Sequence, residues 1–175
     1  MGTTTKGIFL KSMVDAVRKE KGPEGLKELE EIFGDIHFAG FKDYPGEVDK
    51  RLNKAVIKVI YGEETPEAWR EFGKLGFRTY ADSIIGKTMF SLLGNDLRRI
   101  ALAVERVFNT VTSGYQISVE EVSESEIRIR IKNTHENREY LKGLFVAAVE
   151  HFGEKGKVTS RVFGEEDYEY SVKWG

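Results

Sequence analysis

Apolar residues recur at intervals of three and four along the first two thirds of the chain, which is the pattern of amphipathic helices. A break at residues 22–23 separates a first helix from a second, which ends at Gly34. A third helix ends near Gly62, and Thr65-Pro66 has the cap and first-turn chemistry of a fourth. The N-terminal part is therefore predicted to be helical.

Two stretches of this helical part are irregular. Segment 36–46 is aromatic and rich in turn residues, so we expect an ordered loop packed by its own rings. Gly86 and Gly94 weaken the helical pattern on either side of a short apolar piece. A further amphipathic helix is predicted to begin at Gly94 or Asn95 and to end before Ser113.

After Gly114 the apolar period changes from about 3.6 residues to 2, which indicates strands. Two strands joined around 123–125 are followed by a helix over about 136–152 and by two more strands, 158–163 and 168–174. This order, ββαββ, predicts a four-stranded antiparallel sheet whose apolar face needs a cover.

We therefore predict an α+β fold in which the helical N-terminal two thirds packs on the C-terminal sheet. A length of 175 residues suits one domain, 1–175. We expect its helical part at about 7–112 and its sheet part at about 115–174.

The composition narrows the classes of function. The chain has no cysteine, which excludes disulfides, thiolate nucleophiles and cysteine-ligated metal centres and is compatible with the cytoplasm. With 27 Lys and Arg against 29 Asp and Glu, the net charge of −2 argues against general nucleic-acid binding. No apolar run reaches the roughly 18 residues of a membrane span. We expect a cytoplasmic protein with no nucleic-acid partner and no membrane span.

Two sequence motifs that resemble binding sites are better explained by local structure than by ligand binding. Residues 81–88 fit a relaxed P-loop with alanine in place of the first glycine, but helical sequence precedes them, so we interpret them as a helix bend. Cations alternate along one strand at Arg128 and Arg130, and Glu120 and Glu169 on neighbouring strands predict cross-strand ion pairs on a solvated face.

The three histidines are the remaining candidates for metal or acid–base chemistry. His135 and Glu139 are four residues apart at a helix start and could share a metal, yet no third ligand follows from the sequence. A surface or helix-end position is the favoured interpretation for each histidine. His37 stands between two apolar residues, where burial would make the pKa of its imidazole sensitive to the surroundings.

Three short motifs follow one another in a recognisable order. Residues 6–13 (KGIFLKSM), 68–73 (AWREFG) and 140–144 (YLKGL) resemble the opening helix, the W-R-x-x-G helix and the late Y-x-x-G-L helix of the haem-NO/oxygen-binding (H-NOX) superfamily. The resemblance spans nearly the whole chain. It implies a helical N-terminal portion, a C-terminal antiparallel sheet and a cavity between them.

The positions that hold haem in that superfamily differ here. Arg98 or Arg99 stands where the axial histidine is expected, and residues 132–138 (KNTHENR) replace the Tyr-x-Ser-x-Arg motif. Residues 111–114 replace a proline pair. Phe9, the aromatic loop, residues 43–45 (DYP) and residues 110–114 (TVTSG) instead resemble recurrent sequences of a haem-less branch, an uncharacterised bacterial family related in fold to vinyl-reductase-like and TRAPP domains. We expect no cofactor and no metal.

The resemblance implies a non-catalytic sensory or regulatory domain that binds a small apolar ligand between helices and sheet. Nine residues are compatible with such a pocket, although the same types also build a solid core: Phe9, Met13, Phe77, Tyr80, Met89, Leu97, Ala101, Leu144 and Ala148.

Other functions stay open. A protein-interaction or dimerisation module with a filled core would show an exposed apolar patch, or a free edge strand near 168–174. An enzyme lacks a supporting constellation of residues. Haem held by His37 or His151 would show as a Soret band.

Overall fold

The computed structural model describes residues 2–175 and forms seven helices and seven strands from them. The helices are α1 Gly7–Phe33, α2 Gly46–Tyr61, α3 Pro66–Asp82, α4 Ile84–Leu93, α5 Leu97–Leu102, α6 Val104–Phe108 and α7 Arg138–His151. The strands are β1 Thr4–Lys6, β2 Asp43–Pro45, β3 Thr112–Ser113, β4 Gln116–Ser123, β5 Glu126–Lys132, β6 Gly156–Gly164 and β7 Asp167–Trp174. The predicted α+β class and the ββαββ order of the C-terminal part are confirmed.

The large sheet has the strand order β4-β5-β7-β6, and all its pairs are antiparallel. Ile127, Ile129 and Ile131 of β5 are each at most 1% exposed, because alternate side chains of a strand point to one face. Tyr170 of β7 lies opposite Ile129 and is also fully buried. The helices cover this apolar face.

The expectation of a free edge near residues 168–174 is wrong. Strand β7 lies between β5 and β6, so the edges of the sheet are β4 and β6. The physical reason is burial: β7 contributes Tyr170 and Val172 to the core, whereas β6 leaves Val162 and Phe163 exposed. The more apolar strand occupies the interior position.

Charged residues on the outer face of the sheet form the expected cross-strand pairs. Arg128 Nη1 lies 2.7 Å from Glu120 Oε2, and Arg128 Nε lies 3.7 Å from Glu169 Oε1. Arg130 takes a different partner, Asp167, to which it donates two hydrogen bonds of 3.0 and 2.9 Å. These hydrogen bonds lower the pKa of Asp167.

A second, three-stranded sheet of order β2-β1-β3 lies within the part expected to be helical. Its strands have only two or three residues, too few to show a period of 2. This small sheet corrects two predictions. Strand β2 lies in segment 36–46, which was predicted to be a loop, and β3 follows the last N-terminal helix, where no strand was predicted. Its central strand places Thr5, which is fully buried, beside α2.

The predicted break between the first two helices is confirmed: α1 consists of two helical segments that meet at a kink at Gly22. Gly22 has φ +64°, a backbone conformation that interrupts the helix, and Pro23 follows it. The last helix predicted in the N-terminal part is two short helices in the structure. The Asp96 side chain accepts a hydrogen bond from the Arg99 amide, so α5 begins at Leu97. Ala103 separates α5 from α6. No helix among residues 2–175 has the length and apolar character needed to cross a membrane.

Residues 81–88 form the predicted helix bend between α3 and α4. Ser83 Oγ accepts a hydrogen bond of 3.0 Å from the Gly86 amide and donates one of 2.6 Å to the Tyr80 carbonyl. A β-carbon on Gly86 would collide with the Tyr80 carbonyl oxygen. Gly86 therefore permits a close contact between backbones. Helix α3 leads into this segment, whereas a strand leads into the loop of a P-loop protein.

The start of α3 provides a test of local stability. Thr65 Oγ1 accepts a hydrogen bond of 3.1 Å from the Ala68 amide. Thr65→Ala is expected to lower the free energy of unfolding by about 1 kcal/mol, because the amide loses its capping partner. Thr65→Ser keeps the hydroxyl and should remain close to wild type in urea denaturation. Equal stability of the alanine and serine variants would contradict the capping role.

Candidate functional site

An apolar cavity of about 80 Å³ lies between the helices and the large sheet. Helix α3 contributes Phe77 and Tyr80, α5 contributes Ala101, and α7 contributes Leu144 and Ala148. Its walls are almost entirely apolar. The Tyr80 hydroxyl lies 3.0 Å from Thr110 Oγ1, and burial raises the pKa of this phenol. The cavity is suited to an uncharged, apolar molecule.

The structure brings together seven of the nine residues proposed for the pocket, namely Phe9, Phe77, Tyr80, Leu97, Ala101, Leu144 and Ala148. Met13 and Met89 do not line it. Met13 instead belongs to the main core, where α1 packs. A helical period shows that a side chain points inward, but it does not show which part of the interior the side chain reaches.

Several lining residues were not proposed from the sequence. The sheet contributes Ile127, Ile129 and Val172, and α6 contributes Val107 and Phe108. The alternation of apolar and charged residues along β5 could have identified the two isoleucines as lining residues, because it already placed them on the covered face of the sheet. The α6 residues follow an interruption at Ala103, which the sequence pattern did not reveal.

A second candidate site is a buried polar cluster centred on Asp49, His135 and Glu136. Asp49 lies on α2, and the other two lie just before α7. His135 Nε2 is 2.9 Å from Asp49 Oδ2 and 3.8 Å from Glu136 Oε1. Thr5 Oγ1 donates a hydrogen bond of 2.6 Å to Asp49 Oδ2. All three central side chains are buried, and Asp49 is 0% exposed.

Further hydrogen bonds hold the imidazole in place. Thr3 Oγ1 lies 2.7 Å from His135 Nδ1, and the Tyr115 hydroxyl lies 3.1 Å from Nε2. The cluster thus joins β1, α2, the start of β4 and the segment before α7. These segments are far apart in the sequence, so the cluster ties the two ends of the fold together.

Burial and neighbouring charges together shift the pKa values of the side chains in this cluster. Burial raises the pKa of Glu136 to about 8, and the neighbouring Asp49 carboxylate raises it too. Burial alone would lower the pKa of His135, but the hydrogen bond to Asp49 and the charge of Glu136 outweigh it, so the pKa is raised. The cluster favours a positive charge at its centre.

The cluster corrects two expectations about histidines. His135 is neither at the surface nor paired with Glu139, which instead lies 3.1 Å from Arg70. His37, considered for burial, has a side chain that is 87% exposed and lies 2.8 Å from Asp35. No sequence spacing could have indicated the cluster, because Asp49 and His135 are 86 residues apart.

Comparison with known proteins decides the family. The whole chain, residues 1–175, matches one family model, described as Protein of unknown function (DUF2378). The chain belongs to this family. No curated protein matches this DUF2378 chain at a significant level.

Solved structures of H-NOX proteins share the fold of this DUF2378 chain. An Fe(II) unliganded H-NOX protein from K. algicida matches with a TM-score of 0.72 and 15% identity, over 97% of this chain and 96% of the other. An H-NOX protein from S. oneidensis in the Fe(II)NO state matches with a TM-score of 0.73 and 16% identity, over 97% of this chain and 99% of the other. A variant of T. tengcongensis H-NOX matches with a TM-score of 0.69 and 18% identity, over 97% of both chains. The H-NOX resemblance of the sequence is confirmed as a likeness of fold.

The apolar cavity of the DUF2378 chain is small, and the residues that line it in the described chain include no histidine. Drug-sized and cofactor ligands occupy pockets of about 300–1,000 Å³, whereas this cavity measures about 80 Å³. Neither a histidine nor Arg98 or Arg99 is among its lining residues in the described chain. Arg98 instead donates a hydrogen bond of 2.7 Å to Glu121, and the His151 ring lies at the end of α7 against Phe152.

Proposed function

We propose that this DUF2378 protein is a non-catalytic sensory or regulatory domain that binds a small apolar ligand between its helices and its sheet, without haem. The observation that carries the proposal is the apolar cavity of about 80 Å³ in a fold shared with H-NOX proteins. The absence of an iron ligand from its lining supports the haem-less part.

The dimensions of the cavity indicate the kind of ligand. Cavities lined only by apolar side chains stay dry, because water needs two or more polar partners. A volume of about 80 Å³ holds a molecule of a few non-hydrogen atoms. A larger ligand would have to displace wall segments, and the short helices α5 and α6 are suited to this because they depend on packing for their stability. Their displacement would transmit binding to the surface.

Xenon provides a direct test of this cavity, since it enters apolar cavities of comparable character. Wild-type protein is expected to shift the ¹²⁹Xe resonance in a saturable manner. Ala101→Leu fills the cavity and should abolish this specific shift. It should also raise the free energy of unfolding by about 0.5–2 kcal/mol, as cavity-filling substitutions commonly do. Ala39→Leu, at an exposed alanine outside the cavity, is the matched control.

Other results would contradict the proposal. A xenon shift that is the same in wild type and Ala101→Leu would show that the cavity takes no ligand. It would favour the interaction module with a filled core, and dimerisation would then be sought at edge strand β6, where Val162 and Phe163 are exposed. Stoichiometric binding of added haemin with a Soret band, lost in His151→Gln or His37→Gln, would overturn the haem-less part.

A further inference from the structure

The buried polar cluster contains donor atoms that metal ions use. One oxygen of Asp49, one ring nitrogen of His135 and one oxygen of Glu136 all lie within 4.8 Å of one another. Two carboxylates and an imidazole form a mixed oxygen and nitrogen set, which suits zinc and other first-row divalent ions better than magnesium or calcium. We infer that Asp49, His135 and Glu136 form a binding site for a divalent transition-metal ion, separate from the apolar cavity.

The distances suit such an ion. Around tetrahedral zinc, with bonds of about 2.0–2.2 Å, neighbouring donor atoms lie about 3.4 Å apart. His135 Nε2 lies 2.9 Å from Asp49 Oδ2 and 3.8 Å from Glu136 Oε1, on either side of that value. All three donor atoms lie within 4.8 Å of one another, so side-chain movements of about 1 Å would bring them into one coordination sphere.

Two buried oxygens in the cluster have no hydrogen-bond partner, which is a second and independent observation. They are Asp49 Oδ1 and Asn53 Oδ1, both within the described chain. The Asn53 amide faces the cluster, because its Nδ2 donates a hydrogen bond of 3.3 Å to Glu136 Oε2. Leaving a buried acceptor unpaired is costly, and a cation held by the Asp49 carboxylate would supply the partner that this carboxylate lacks.

The surrounding residues are arranged as an outer shell around a metal site. Thr3 Oγ1 can accept a hydrogen bond from His135 Nδ1–H over 2.7 Å, which would leave Nε2 free to bind an ion. The Thr5 hydroxyl orients the Asp49 carboxylate. In the metal-free protein the Nε2 proton faces Asp49, so the ion would take the place of that proton.

Solvent reaches the cluster through a separate polar pocket. This pocket has a volume of about 280 Å³ and is lined by Asn53, His135 and Glu136 together with surface residues such as Lys54 and Glu166. It would give an ion an entry path and leave space for a water ligand on the side of His135 and Glu136. Once the ion has displaced the protons of His135 and Glu136, the two carboxylates and the neutral imidazole carry a charge of −2, which a divalent cation neutralises.

The experiment is calorimetric titration of the full chain with Zn²⁺ and Mn²⁺ after chelator treatment, with Mg²⁺ as a hard-ion comparison. We expect one equivalent of Zn²⁺ or Mn²⁺ per chain, a higher melting temperature in its presence, and little response to Mg²⁺. Glu136→Gln keeps the shape of the side chain and should weaken binding at least tenfold. Asp49→Asn and His135→Gln should do the same, with folding checked by circular dichroism.

Matched controls and a spectroscopic measurement make the result decisive. Glu139→Gln and His151→Gln change the same residue types outside the cluster and should bind like wild type. Co²⁺ should give visible absorption bands of a low-symmetry nitrogen and oxygen site, and Glu136→Gln should alter them. A folded, chelator-treated protein that binds no Zn²⁺, Mn²⁺ or Co²⁺ would overturn the inference. So would binding that Glu136→Gln leaves unchanged and His151→Gln removes.

Discussion

Gly143→Ala is expected to destabilise the protein by about 3 kcal/mol, because it overpacks a helix contact in which backbone atoms touch. Helices α3 and α7 cross at Gly143 and Gly73. A β-carbon on Gly143 would collide with the carbonyl oxygen of Arg70, and one on Gly73 would collide with that of Tyr140. Backbone atoms cannot move aside as a flexible side chain can, so the two helices would have to separate.

Urea denaturation measures this effect as a lower midpoint with an unchanged slope. Gly40→Ala is the matched control, because a β-carbon there would meet only the Ile8 side chain, at the ordinary distance of 3.9 Å. It should change stability by less than about 0.5 kcal/mol. If Gly143→Ala also matched wild type, the close crossing of α3 and α7 would be wrong.

The same helix crossing fixes the walls of the apolar cavity. Phe77 and Tyr80 of α3 and Ala148 of α7 lie one to two turns from the crossing, and Leu144 of α7 directly follows Gly143. All four side chains line the cavity, so a change in the separation of the two helices would move its walls. The two glycines also belong to the W-R-x-x-G and Y-x-x-G-L motifs, so the motifs have a packing role in this chain.

Phe72→Ala is expected to cost about 3–5 kcal/mol, the range for removing a large buried aromatic side chain. Phe72 is 0% exposed, and its ring centroid lies 5.3 Å from that of Tyr140 and 6.3 Å from that of Trp69. The surrounding rings and helix backbones are rigid, so the cavity left by the truncation would close only in part. Thermal and urea denaturation should show the loss.

Phe41→Ala makes the same chemical change at a phenylalanine that is fully exposed. It should alter the free energy of unfolding by less than about 0.5 kcal/mol. A similar loss for both variants would contradict the position of Phe72 in the core. The pair is useful because aromatic type alone does not distinguish the two positions.

The aromatic segment 36–46 illustrates this limit. The prediction of a loop packed by its own rings agrees with Phe38 and Tyr44, whose centroids are 5.2 Å apart, and with the Tyr44 hydroxyl, which accepts a hydrogen bond of 2.8 Å from the Ala39 amide. Phe41 of the same segment contacts none of these rings in the described structure. In a segment without a period, nothing in the sequence shows which ring points inward.

Periodic segments were predictable because their geometry is local. The period of 2 after Gly114 correctly placed β4, β5 and the isoleucines of the covered face, and the cap at Thr65 correctly marked the start of α3. The α+β class follows from these local signals. Strand order does not, because it depends on which strand buries more of its apolar side chains in the core, and that strand is β7 with Tyr170 and Val172.

The sequence by itself determined the main helices, the four strands of the large sheet and their inward faces, since each of these depends on residues close together in the chain, and its resemblance to the H-NOX superfamily indicated the fold. Only the tertiary structure decided that Met13 and Met89 lie outside the cavity lining. It alone also brought Asp49 to His135 and Glu136. Contacts between residues 86 positions apart are set by how whole elements pack, and no local pattern of residues records that packing.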